Sequence, residues 1–138
     1  MRGVAVLLLL GLLMTQGCAV LAVGAVAGAA AGVTYTVMGT AEKTFDNDYD
    51  SVVTALNKAL VSLDIKTGNT RKIEDTGKVT QTEIEAYTKD LTIQITVERV
   101  SARATRVVVD ASENYVMKDK ATATAILTKT TESLPRPA

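Results

Sequence analysis

The sequence has no histidine and no tryptophan, and it has one cysteine, one phenylalanine and two prolines. Each shortage removes a class of chemistry. Without histidine there is no imidazole base for a nucleophilic triad and no imidazole ligand for a metal. One thiol cannot close an internal disulfide, so the fold must stand on its buried apolar side chains. No glycine loop of the phosphate-cradling kind follows a strand pattern. Ser51, Ser62, Ser101 and Ser112 lie in no local motif that would pair one of them with a lysine. The expectation is therefore a protein that is not an enzyme and takes no cofactor and no metal.

Charge is missing too, but only from the front. Before Glu42 the single charged side chain is Arg2; beyond it the two signs are interspersed, and 15 basic residues balance 15 acidic ones over the whole chain. That balance gives no electrostatic footprint for nucleic acid.

The charge-free front is apolar from Val4 to Val33, broken by small residues and by Thr15-Gln16. Arg2 followed by the eleven apolar or small residues Val4 to Met14 reads as the start of a secretory signal, too short for a span of roughly 20 residues. Behind it stands "TQGCA", with small Gly17 immediately before Cys18. This resembles a bacterial lipoprotein signal, in which the peptide is cut between Gly17 and Cys18 and the cysteine carries acyl chains. Thr15 departs from the leucine-like residue usual three places before the cysteine. By the same resemblance, Ala19 rather than an aspartate implies delivery to an outer membrane facing the periplasm. Two other readings stay open: an uncut helix over Val4–Val33, and a general signal-peptidase cut near "AGAA". The division expected is a signal peptide over 1–17, a lipidated, Ala/Gly-rich membrane-proximal segment over 18–34, and a folded domain over 35–138.

Within that middle segment Gly24, Gly28 and Gly32 recur every four residues. On a helix they form a ridge that another helix can approach closely. The same spacing also arises in a plain low-complexity spacer, and fifteen helical residues reach only about 22 Å. Whether the segment packs or merely spaces is left open, as is the oligomeric state.

Past Tyr35 the patterning becomes that of an ordinary domain. Tyr35, Val37, Ala41, Lys43 and Phe45 alternate with polar neighbours as an extended entry. Tyr49, Val52, Val53, Leu56, Leu60 and Leu63 then fall three or four apart, which predicts a helix with Asp48 as its N-cap. From Ile65 the period shortens to two, with turns expected at Thr67-Gly68-Asn69 and at Asp75-Thr76-Gly77. "LTIQITVERV" alternates as a strand with one apolar face, and "TRVVVDAS" reads as the next strand. A closing helix, weakened by its threonines, is expected after Asp119, packed through Ala123, Ile126, Leu127 and Leu134. The order predicts an α+β two-layer sandwich: an antiparallel sheet of about four or five strands with one or two amphipathic helices on one face.

Three polar groupings are candidates for chemistry. Asp46, Asp48 and Asp50 alternate as calcium ligands can, yet an EF-hand loop from Asp46 would need a glycine at Ser51 and a glutamate at Asn57. A strand end leading into a capped helix explains the run better. Glu98, Arg99, Arg103 and Arg106 cluster around a strand turn, either as a headgroup-binding patch or as a solvated hairpin tip. A hollow lined by Leu56, Leu60, Ile93 and Ile95 would make the domain a binder of small apolar or lipid ligands; a closed interior would not.

Taken together, the "GCA" junction, the Ala/Gly spacer, the aromatic entry before "FDNDYDSVVTALNKAL" and the alternating strands resemble a family of small bacterial lipoproteins known as domain of unknown function 3568. The resemblance covers nearly the whole chain and brings no catalytic residues with it. It implies a lipid-anchored envelope protein with a structural or protein-interaction role. A membrane is its expected partner through the anchor, and an envelope protein is its expected second. The strand–helix–strands–helix order also resembles helix-grip domains, a likeness of fold that implies no activity.

Overall fold

The computed structural model describes residues 32–35, 39–114 and 117–135. Along the chain run β1 (Thr34–Tyr35), β2 (Ala41–Phe45), α1 (Tyr49–Ser62), β3 (Lys66–Asp75), β4 (Lys78–Tyr87), β5 (Thr92–Ser101), β6 (Ala104–Glu113), β7 (Met117–Lys118) and α2 (Lys120–Ser133). The strands form one antiparallel sheet in the order β1-β2-β6-β5-β4-β3. β7 pairs with the end of β6, on the side that β2 has left.

Helix α1 forms where the apolar residues recur at helical spacing, and Asp48 starts it. The Asp48 carboxylate accepts the Ser51 amide at 3.0 Å and the Ser51 hydroxyl at 2.7 Å. Tyr49, Val52, Leu56 and Leu60 are buried along its inner stripe; Val53 and Leu63 pack at the margin. Asp119 caps α2 in the same way, accepting the Thr122 amide at 2.9 Å. α2 is rich in threonine but still turns Ala123, Ile126 and Leu127 inward. Its hydroxyls are absorbed by the helix backbone: Thr130 donates to the Ile126 carbonyl, Thr131 to Leu127 and Ser133 to Lys129.

Both helices lie on the same face of the sheet. On that face register sets Ala41, Val109, Ile95 and Ile84 in one row across four strands. Ala111, Ile93 and Ala86 form a second row, and Val107, Val97 and Thr82 a third. All ten side chains are at most 3% exposed. Burying an aliphatic side chain of this kind contributes about 1.5–3 kcal/mol. The opposite face is wet and laced with ion pairs. There Arg106 meets Glu42 at 3.0 Å and Glu98 at 3.6 Å, Arg71 meets Glu83, and Lys118 meets Asp110.

The strand count exceeds the expected four or five, and the reason is local. β1 and β7 are two residues each, too short to show a period. The turn expected at Thr67-Gly68-Asn69 is instead a register shift inside β3, where Thr67 pairs with Ala86 but Thr70 pairs with Ile84. Gly and Asn read as a turn because both suit irregular backbone; a β-bulge uses the same property without reversing the chain. The turn at Asp75-Thr76-Gly77 is where it was expected. Thr76 (φ 50°) and Gly77 (φ 76°) both take positive φ, as a two-residue turn of type I′ requires.

Candidate functional site

Of the residues singled out by the lipoprotein-like junction, Gly17 and Cys18 lie outside the described residues, as do Gly24 and Gly28. Gly32 is described: its φ is +81°, and a Cβ built on it would meet nothing within 4 Å. Immediately after it the chain is tied down. Val33 is 1% exposed in the core, and Tyr35 reaches α2, its hydroxyl bonded to Thr124 and its ring 5.5 Å from the Lys120 Nζ. Among the described residues no helix is long and apolar enough to cross a membrane.

The acidic run resolves into a cap and two exposed neighbours. Hydrogen bonds from the Ser51 hydroxyl and then its amide hold the Asp48 carboxyl below the ordinary aspartate range, with weaker help from the charge of Arg99. Among the described residues no group of three or more acidic, cysteine or histidine side chains converges as a metal site would require.

The arginines of the β5–β6 hairpin do not converge either, because alternation sends them to opposite faces. Arg99 turns to the helix side, its guanidinium 4.6 Å from the centre of the Tyr49 ring and its Nε donating to the Val79 carbonyl at 3.1 Å. Arg106 turns to the wet face, between Glu42 and Glu98. Arg103 stays exposed in the turn.

Leu56, Leu60, Ile93 and Ile95 are each at most 1% exposed and pack in one core cluster. Of the four, Ile95 borders a surface hollow of about 190 Å³ over β4 and β5, together with Glu83, Glu85 and Gln94; two further hollows are lined by other residues. One, of about 220 Å³, lies between α1 and the inner face of β3–β4; its walls include Val53, Asn57, Thr70 and Lys72, and the Tyr49 hydroxyl bonded to Thr82 belongs to its lining. A broader one, of about 560 Å³, lies at the end of the sheet around Leu63, Lys66, Tyr87 and Lys89.

One buried-side polar group was not foreseen. Lys43 sits on the inner face of β2, where it donates to the Thr131 hydroxyl at 2.8 Å and lies 5.1 Å from the centre of the Phe45 ring. Burial lowers its pKa. The alternation of Ala41, Lys43 and Phe45 is the signal that placed it there.

The most open feature is β3. All ten of its residues are exposed, in contrast to the alternating burial of β4, β5 and β6. Its second half keeps pace with β4 until a register shift between Ile73 and Glu74, and on the wet face Arg71 donates to Glu83 through Nε at 2.9 Å and through a second nitrogen. Its first half bulges at Gly68, where a Cβ would come within 2.5 Å of the Tyr87 ring. Asn69 and the Tyr87 hydroxyl both donate to the Glu85 carboxylate.

No curated protein matches the chain. Residues 3–131 match the family described as Protein of unknown function (DUF3568), a span that takes in the apolar leader as well as both helices' packing faces, and the chain belongs to that family.

Proposed function

We propose that the protein is a lipid-anchored envelope lipoprotein whose α+β domain serves as a protein-interaction module, without an enzymatic role. The observation that carries this is the junction of an eleven-residue apolar run with Gly17-Cys18. Two further observations support it. The family match starts at residue 3, so leader and domain recur together. Among the described residues Val33 is the first member of the core, and the Ala/Gly-rich sequence between Cys18 and it would act as a spacer. One acyl chain binds a bilayer only marginally, whereas two or more hold it stably, so a multiply acylated Cys18 would keep the domain at the membrane. The domain would then sit on the periplasmic side of an outer membrane.

The test is the intact mass of the membrane-fraction protein, wild type beside Cys18→Ala. A wild-type mass of residues 18–138 plus acyl groups, absent from the variant, is the expected result. The mass of the full precursor would replace the anchor with a membrane helix, and a chain starting within the Ala/Gly run would make the domain a released one.

A further inference from the structure

Among the described residues β3 is the long free edge of the sheet: it pairs there only with β4, while the opposite edge is the two-residue β1. A free edge offers unpaired backbone groups to any strand that can lie beside it, and natural sheets blunt such edges with charge, bulges or proline. Here one bulge, between Thr67 and Thr70, puts its extra residue in β3 and spoils the first half. A second register shift, between Ile73 and Glu74, skips a residue of β4 rather than of β3, so β3 itself runs from Thr70 to Asp75 with no inserted residue and no proline.

The other half, with "RKIED", is complementary to itself. When two copies pair antiparallel about a two-fold axis perpendicular to the sheet, one residue faces itself and its neighbours face each other in reverse order. With the axis at Ile73, Lys72 faces Glu74 of the second copy and Arg71 faces Asp75 of the second copy. Moving the axis by one residue sets Lys72 against Lys72, or Glu74 against Glu74. At Arg71 two arginines meet, and at Thr70 the pairing runs into the bulge. Opposite charges directly across a ladder stabilise it and like charges destabilise it, so the strand's own charges select one register. Ile73, a large apolar side chain left 38% exposed, meets its own copy at the axis. Arg71 already binds Glu83, but its side chain is 71% exposed and its fork of donors has room for a second carboxylate.

We infer that β3 is a homodimerisation edge: two copies pair antiparallel through Arg71–Asp75 about Ile73 and join their sheets into one. This goes beyond the anchored-module function and does not require a lipid at Cys18. Five paired residues make a weak contact, so the dimer is populated where copies are concentrated.

The experiment uses the full chain in its native membranes with Ile73→Cys introduced. Facing residues of an antiparallel pair have Cα atoms about 4.5–5.5 Å apart, within disulfide range. The parent chain, with Cys18 alone, gives the background, and Ala125→Cys on the exposed side of α2 is the control. Mild oxidation should give Ile73→Cys a reducible band of twice the chain mass, well above both. Added to it, Lys72→Glu should lower the dimer fraction about fivefold, and Lys72→Glu with Glu74→Lys should recover it. The inference fails if Ile73→Cys cross-links no better than Ala125→Cys, if Lys72→Glu changes nothing, or if the double exchange does not recover what the single one loses. A reducible band of another mass would give the edge to a different protein and overturn it as well.

Discussion

The hairpins β3–β4 and β5–β6 are built alike and are held by different forces. Each joins two ten-residue antiparallel strands through a two-residue turn. In β5–β6 every second side chain on the helix side is buried, because α1 and α2 lie over it. β4 keeps that pattern, but β3 lies at the margin of α1 and all ten of its residues stay exposed. The rim hairpin therefore depends on backbone geometry and cross-strand polar pairs where the central one depends on apolar packing. A sheet of this kind has a stable middle and a rim set by local rules.

The sharpest way to break this contrast is to truncate one isoleucine in each hairpin. Ile95 is 1% exposed at the centre of the first buried row. Ile95→Ala should cost about 2–5 kcal/mol in urea unfolding, through lost burial and a residual cavity. Ile73→Ala, measured at dilutions where the chain is monomeric, should cost no more than about 0.5 kcal/mol. Equal losses would show that β3 contributes to the core after all.

Next in size are two changes confined to the rim. Gly68→Ala should destabilise by about 1 kcal/mol, because the added Cβ meets the Tyr87 ring at 2.5 Å and the ring or the bulge must shift. Repeating the change in a Tyr87→Ala background should remove most of that cost; an unchanged cost would place the strain in the backbone. Thr76→Asn should act in the other direction. Thr76 is β-branched yet holds φ at 50°, and asparagine tolerates that region better. A gain of roughly 0.5–1 kcal/mol in unfolding free energy is expected. No gain would mean that the threonine's own contacts offset its strain.

The same contrast decides what could be seen in the sequence. α1 was legible because a helix against a sheet must show an apolar stripe, and both aspartate caps stand where a stripe begins. β5 and β6 were legible because one-sided burial writes a period of two. β3 has no buried face, so no period exists to be read. Its Gly68-Asn69 looked like a chain reversal, although the partner strand continues straight past it. The closing helix was the weaker expectation because threonine disfavours helices; only the structure shows its hydroxyls bonded back to the helix carbonyls. Of the site candidates, "GC" behind an apolar run is a local motif and can be read directly. A free edge is a relation between strands distant in sequence, and the self-complementarity of "RKIED" carries no meaning until β3 is known to be an edge.

The smallest expected effect concerns the cover that separates the two hairpins. Asp48 seats the first turn of α1, and its hydrogen bonds from Ser51 lower its pKa below the ordinary aspartate value of about 3.9. A carboxyl depressed in the folded state stabilises fully above its unfolded pKa, and that contribution is lost as pH falls through the folded one. Asparagine caps a helix comparably but does not titrate. The stability difference between wild type and Asp48→Asn should therefore be constant above about pH 5 and should shift against the wild type only below about pH 4. Urea midpoints measured from neutral to acid pH would show it. Curves that stay parallel throughout would mean that the Ser51 bonds are too exposed to water to bias folding, and that α1 is seated by Tyr49, Val52 and Leu56 alone.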